Sequence, residues 1–176
     1  IYQQVTGLPA NQVFGTGTYL DTARLKRSLG DALNVDPRSI QGYMLGEHGD
    51  SQFAAWSTVR VLGQKADELV TNYHLDLDAV ANDARVGGFT VFSGKKYTNF
   101  AIAHAAVSLA QLVLSDAHNE AIVSHYDARF AGYISTPAII GRSGVVANFE
   151  LTLTADEQRA LQQSANAIAE KTAAYL

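Results

Sequence analysis

Apolar residues recur at a helical period in several stretches of the chain. Leu25, Leu29 and Leu33 repeat at a spacing near 3.6 residues, which favours an amphipathic helix. At Thr154, a glutamate three positions later forms a capping box and predicts another helix start. The same patterns, ended by glycine, proline or serine, predict helices at residues 1–6, 19–33, 76–92 and 97–117, and a last one after 154.

Shorter apolar runs, bounded by turn residues, predict strands. They lie at residues 12–15, 39–45, 53–61, 121–126, 133–140 and 145–151. The runs at 39–45 and 53–61 are close enough to be antiparallel neighbours, and 141–144 reads as a hairpin turn. Gly87 and Gly88 predict a kink or a close approach within their helix. The predicted fold is α+β, a largely antiparallel sheet covered by long helices on one side.

Composition narrows the function classes. A net charge of −4 and a pI near 5.7 give no electrostatic reason to expect nucleic acid. No apolar run approaches the roughly 18 residues that a membrane span requires. The absence of cysteine excludes disulfides and thiolate sites and is compatible with a cytoplasmic protein, the location we expect.

The stretch from Gly46 to Ser51 places a histidine on a glycine-flanked loop after a buried strand. Loops at strand ends often carry catalytic residues, and the ordinary pKa of histidine suits proton transfer near neutrality. His48 could instead make only a structural hydrogen bond. Together with Glu47 and Asp50 it could suggest a metal site, but three ligands on one short loop suit no common geometry, so we expect no metal.

A second stretch, Gly15 to Arg24, ends one apolar run and opens a helix. On that helix Asp21 and Arg24 are three residues apart and share a face. An aspartate can orient an imidazole, and an arginine can hold a carboxylate with two parallel hydrogen bonds. His48, Asp21 and Arg24 therefore suggest acid–base chemistry on an anionic substrate. Asp21 could also be a helix-start residue favoured by the macrodipole, and Arg24 a surface ion pair.

Gly-Thr-Gly-Thr-x-Leu-Asp-Thr-Ala-Arg followed by Gly-Glu-His-Gly-Asp-Ser resembles the L-lactate/malate dehydrogenase family over residues 5–160 or so. The resemblance implies that His48 is the proton donor and acceptor, that Asp21 is its partner, and that Arg24 binds the substrate carboxylate. It also implies that Thr98 lies beside the substrate, although Thr98 could be only a helix N-cap.

The resemblance further implies NAD as cofactor, with Thr16 and Ile102 near its nicotinamide end, and a small 2-oxo or 2-hydroxy acid as substrate. The stretches 87–91, 94–98 and 135–142 are most similar to bacterial L-2-hydroxyisocaproate dehydrogenases, homologues of L-lactate dehydrogenases that accept bulkier side chains. A homodimer or homotetramer is the expected assembly.

The nucleotide-binding signature of such enzymes, Gly-x-Gly-x-x-Gly after a strand, does not occur in these 176 residues. Gly15-x-Gly17 lacks the third glycine and leads into the substrate motif. We therefore expect residues 1–15 to be the end of a dinucleotide-binding domain and residues 16–176 to be the catalytic domain. The alternative is an isolated, non-catalytic folding or oligomerisation domain.

Overall fold

Helices and strands are interspersed along the chain in the computed structural model, which describes residues 1–173 and 175. The helices are α1 Tyr2–Thr6, α2 Tyr19–Leu33, α3 Ala66–Tyr73, α4 Leu77–Lys95, α5 Phe100–Leu114 and α6 Ala155–Ala173. The strands are β1 Ile40–Gln41, β2 Met44–Leu45, β3 Phe53–Ala54, β4 Arg60–Val61, β5 Gln64–Lys65, β6 Asn119–Asp127, β7 Gly132–Gly141 and β8 Gly144–Asn148. All pairings between these strands are antiparallel. The α+β class is therefore confirmed, but the strands form three small sheets rather than one.

The largest sheet has the order β6-β7-β8 and confirms the three predicted C-terminal strands and their hairpin turn. Pairing of β6 with β7 runs without interruption from Asn119–Ile140 to Asp127–Gly132. Buried Val123 and Ile140 pack with Leu109 of α5, so α5 covers one part of this sheet. Helix α6 packs on β7 through Leu161.

Helix α2 has the predicted bounds, and the central part of its apolar stripe is buried. Leu25 and Leu29 are inaccessible to solvent and pack against Val80 and Ala84 of α4. Asn34 ends the helix in the left-handed conformation, with φ of 54°. Helix α2 is thus held between α4 and the small sheets that carry the candidate site.

The two strands predicted around the His48 loop are correct in direction but interrupted. Strand β2 pairs with β3 and β1 pairs with β4, both antiparallel. Gly42 separates β1 from β2 with φ of 142°, and a Cβ there would lie 2.8 Å from Val59 Cγ2. A short 3₁₀ helix, Trp56–Thr58, separates β3 from β4. The chain therefore turns sharply on both sides of a short hairpin that ends in the loop.

One predicted strand does not form, and several predicted bounds were wrong, including that of β8, which ends at Asn148 rather than at residue 151. Residues 12–15 form no strand: a 3₁₀ helix, Ala10–Gln12, is followed by a single bridge between Gly15 and Ser124. Helix α4 continues through Ser93 and Gly94, because an exposed helical glycine costs only about 1 kcal/mol. Helix α5 is shorter than residues 97–117.

Two elements, β5 and α3, were not predicted at all. The final capping box is confirmed: Thr154 and Glu157 each accept a hydrogen bond from the other's backbone N–H. No helix in the described ranges is long and apolar enough to cross a membrane. The predicted domain end at residue 176 lies outside the described residues.

Candidate active site

Strand β7 brings the two sequence motifs together at Ser135. The backbone of Ser135 exchanges two hydrogen bonds with Gly46, of 3.0 and 3.1 Å, and its hydroxyl accepts one from the backbone N–H of Thr18 at 3.2 Å. Gly17 lies directly against this point, since a Cβ there would be 2.3 Å from Ser135 Oγ. Neither motif alone reveals Ser135, which lies more than 80 residues further along the chain.

The first turn of α2 is also fixed to β2. Thr18 Oγ1 donates to the backbone carbonyl of Met44 at 2.6 Å, and Thr22 Oγ1 accepts from the backbone N–H of Met44 at 3.0 Å. Both threonines are buried. Asp21, which lies between them, therefore meets the loop that follows β2.

Asp21 connects the two other residues of the predicted constellation. Its carboxylate is fully buried, and its two oxygens have different partners. Oδ2 lies 2.6 Å from His48 Nδ1, and Oδ1 accepts a hydrogen bond from Arg24 Nη1 at 2.8 Å. A buried carboxylate is costly unless it is paired in this way.

His48 is oriented by Asp21 but remains accessible. A carboxylate at 2.6 Å can only accept, so Nδ1 carries the hydrogen and Nε2 is the nitrogen left for a substrate. The hydrogen bond to Asp21 raises the pKa of His48, and partial burial opposes that rise. The side chain is 61% exposed, so a small molecule can reach it.

Helix α4 packs its glycine pair against Arg24. A Cβ at Gly87 would lie 2.9 Å from Arg24 Cδ, and one at Gly88 would lie 3.4 Å from both Nη atoms. The sequence predicted a kink or a close approach at these glycines, and the structure shows the close approach. The glycine pair lets the helix backbone hold the guanidinium group beside Asp21.

A cleft of about 810 Å³ opens beside these side chains. Its lining includes all six site residues named from the sequence: Thr16, Asp21, Arg24, His48, Thr98 and Ile102. Thr98 lies in the connection between α4 and α5. It is not the N-cap of α5, because that position belongs to Asn99.

Sequence reasoning missed the cleft residues of α4. Arg85 and Lys95 add two cationic side chains to the lining, and Phe89 and Phe92 add apolar surface. Positions 85, 89 and 92 follow the i, i+4, i+7 pattern of one helix face, which was the signal available. The cleft therefore combines positive charge, which suits an anionic substrate, with an apolar wall.

The described residues hold no group of three or more His, Asp or Glu side chains that could bind a metal ion. Glu47, one member of the metal alternative, is engaged elsewhere: it accepts hydrogen bonds from Ser51 and Lys171. Glu47 thus pairs with a residue of its own loop and with a residue of α6.

Comparison with known proteins gives consistent results. The family model for the lactate/malate dehydrogenase alpha/beta C-terminal domain matches residues 18–174. L-lactate dehydrogenase 3 of Bacillus thuringiensis is 38% identical over 170 residues, covering 92% of this chain and 54% of that protein. L-lactate dehydrogenase 1 of Lactobacillus acidophilus is 35% identical over 174 residues, with 95% and 54% covered.

Among solved structures, the minor L-lactate dehydrogenase of Enterococcus mundtii superposes with a TM-score of 0.91 at 32% identity, covering 96% of this chain and 56% of that one. The chain spans about half the length of the relatives it matches. The family model covers most of the chain, and the resemblance inferred from the motifs is confirmed: this chain belongs to the lactate/malate dehydrogenase family, as its alpha/beta C-terminal domain.

Proposed function

We propose that the enzyme containing this chain interconverts an L-2-hydroxy acid and its 2-oxo acid with NAD. The observation that carries the proposal is the pairing of His48 and Arg24 with one buried carboxylate, Asp21, at the edge of a cleft. This arrangement provides a proton donor and a carboxylate-binding group side by side. The two relatives named as L-lactate dehydrogenases support the same reaction class.

His48 is the acid–base group in this proposal. When a 2-oxo acid is reduced, protonated Nε2 gives its proton to the carbonyl oxygen, and in the reverse direction neutral Nε2 takes the hydroxyl proton. Asp21 keeps Nδ1 protonated and stabilises the imidazolium ion. The raised pKa of His48 favours the protonated form that reduction requires.

Arg24 holds the substrate carboxylate. Only Nη1 of its guanidinium group is hydrogen-bonded among the described contacts, so further donors remain for a ligand. Because Asp21 fixes both Arg24 and His48, the carboxylate and the reacting carbonyl are held in one orientation. Thr98 lies on the lining of the same cleft and supplies a hydroxyl group beside the substrate.

NAD supplies or takes up the hydride when it is bound. Thr16 and Ile102 offer an alcohol and an apolar side chain at the cleft, which fit the amide group and the ring of a nicotinamide. The pyrophosphate-binding glycine turn does not occur in the 176 residues. We therefore propose that residues 1–15 end a nucleotide-binding domain, that residues 16–176 are the catalytic domain, and that this chain alone is inactive.

The finer features belong to the same proposal. The side chain accepted is that of lactate or of the bulkier 2-hydroxyisocaproate. The enzyme works as a homodimer or homotetramer in the cytoplasm.

The test is turnover by the full-length enzyme with NADH, using pyruvate and 2-oxoisocaproate as substrates. His48→Asn should abolish the oxidation of NADH with either acid. Activity of the His48 variant near that of the wild type would overturn the assignment, as would an active enzyme that needs no nicotinamide.

A second candidate, a non-catalytic folding or assembly domain, is favoured by exposed apolar residues on α5. Phe100, Val107 and Leu114 are each more than half exposed. Such a surface promotes self-association. Turnover of a 2-oxo acid by the full-length enzyme would exclude this second candidate, and light scattering of the 176-residue chain tests the self-association. Micromolar NADH binding with steady turnover by the 176-residue chain would contradict both candidates.

A further inference from the structure

Helix α6 contacts the His48 loop through a buried serine. Ser164 is inaccessible to solvent, and its Oγ accepts a hydrogen bond from the backbone N–H of Glu47 at 2.6 Å. The same oxygen lies 2.9 Å from Ser51 Oγ. A Cβ at Gly46 would lie 2.5 Å from Ser164 Oγ, so the loop backbone rests directly on the serine. Ser164 therefore contacts the chain on both sides of His48.

The carboxylate of Glu47 extends this contact. Oε2 accepts a hydrogen bond from Ser51 at 2.6 Å, and Oε1 pairs with Lys171 of α6. Gly49 lies against the same group, since a Cβ there would be 3.0 Å from the carboxyl carbon. The Glu47 side chain is 14% exposed and links Ser51, at the end of the loop, to Lys171 of α6.

We propose that Ser164 and Lys171 of α6 are positioning residues that hold the loop backbone so that His48 stays against Asp21. The ring of His48 is mostly exposed, so surrounding side chains do not cage it. Its position is set by the hydrogen bond to Asp21 and by the backbone on either side of it. On that backbone, β7 fixes Gly46 and Ser164 of α6 fixes Glu47, and the same serine contacts the side chain of Ser51.

The proposal rests on the proposed function only in calling His48 catalytic. The positioning itself can be measured in the 176-residue chain without turnover. Its rival is that α6 only stabilises the fold. That rival predicts lower stability in the variants but an unchanged environment of His48.

The experiment is an NMR titration of the His48 imidazole together with amide hydrogen exchange at Glu47. The variants are Ser164→Ala and Lys171→Met, with Lys171→Arg as the conservative replacement. Arg159→Ala is the charge control, because the described contacts of Arg159 are with Asp156 and Ala155 of the same helix and not with the loop. Leu69→Val is the stability control, since Leu69 is buried in the core cluster around α2.

In Ser164→Ala, the Glu47 amide should exchange about tenfold faster, the equivalent of about 1.4 kcal/mol. The pKa of His48 should fall toward its ordinary value as the contact with Asp21 loosens. Lys171→Met should accelerate Glu47 exchange in the same direction, and Lys171→Arg should restore it. The pKa of His48 is compared only in Ser164→Ala, because loss of the cation that pairs with Glu47 by itself raises that pKa. Neither control should move it.

An unchanged His48 titration and Glu47 exchange in folded Ser164→Ala would overturn the proposal. So would an equal shift in Leu69→Val, because loss of stability alone would then explain the effect. If Ser164→Ala does not fold, Lys171→Met decides, since Lys171 is exposed and its loss leaves the core intact. Failure of the full-length enzyme to turn over a 2-oxo acid would reject the proposed function and leave this result unaffected.

Discussion

Adding a single methyl group to α4 should lower the activity of the enzyme through a shift of Arg24 rather than through unfolding of this domain. The change is Gly87→Ala. Gly87 lies within helix α4, where alanine is favoured over glycine by about 1 kcal/mol. Its new Cβ, however, would lie 2.9 Å from Arg24 Cδ and 3.2 Å from Nε. The substitution therefore raises the stability of the helix itself and displaces the side chain of Arg24.

The size of the displacement follows from ordinary contact distances. Carbon atoms pack best at about 3.5–4.0 Å, so Arg24 has to move by about 0.6 Å or more. Nη1 is fixed to Asp21 at 2.8 Å, so the guanidinium group tilts rather than shifting as a whole. A misplacement of about 1 Å can cost on the order of 100-fold in rate, so we expect a loss on the order of tenfold in kcat/KM.

Stability should fall by about 0–2 kcal/mol, because overpacking costs about 1–3 kcal/mol and the helix recovers about 1 kcal/mol. The assays are steady-state kinetics of the full-length enzyme and urea unfolding of the 176-residue chain. Gly94→Ala is the matched control: it changes another glycine of α4 that has no atom within 4 Å of an added Cβ. It should gain stability and keep full activity. A Gly87→Ala enzyme within twofold of wild type would show that Arg24 moves freely or does not bind the substrate.

Three further predictions concern charge and protonation. Arg24→Lys should lower kcat/KM by about 100-fold, because lysine lacks the paired donors that fit a carboxylate; near-normal steady-state kinetics would remove Arg24 from the site. The rate of reduction should fall above a certain pH, and Asp21→Asn should shift that pH to a lower value, because the hydrogen bond to Asp21 is the main cause of the raised pKa of His48. An unchanged pH–rate profile would contradict this. Burial lowers the pKa of His125, so stability present above about pH 6.5 should be lost as the pH falls and the unfolded chain takes up a proton. Urea midpoints of wild type and His125→Asn across that range measure this effect, and equal slopes would exclude it.

The parts of this protein that the sequence predicts are those encoded locally. The bounds of α2 follow from the spacing of Leu25 and Leu29, which the fold buries completely. The pairing of Asp21 with Arg24 follows from one helical turn, and the structure shows it at 2.8 Å. The chemistry of the three side chains suggested that this turn acts with His48, and the resemblance to a family assigned each residue its role, which no local spacing could do.

Features that depend on distant contacts were not predictable in the same way. The break at Gly42 comes from close packing on Val59, and the contact of Ser164 with the loop joins positions 117 residues apart. Gly94 is a residue type that often ends helices, but α4 continues through it, and a Cβ added there would meet no atom within 4 Å. Packing outweighs local propensity at Gly42, whereas at Gly94 a cost of about 1 kcal/mol is too small to end the helix.

In the proposed function, proton transfer and carboxylate binding depend on one buried group, Asp21. Both oxygens of Asp21 are in use, one for His48 and one for Arg24, so the orientation of each depends on the same carboxylate. The position of Asp21 in the first turn of α2 also places its charge where the helix dipole stabilises it. A carboxylate that serves two partners at once needs rigid surroundings. Those surroundings come from β2 through Thr18, from the glycines of α4, and from the contact of α6 with the His48 loop. The geometry of the short motif therefore depends on elements from the whole domain.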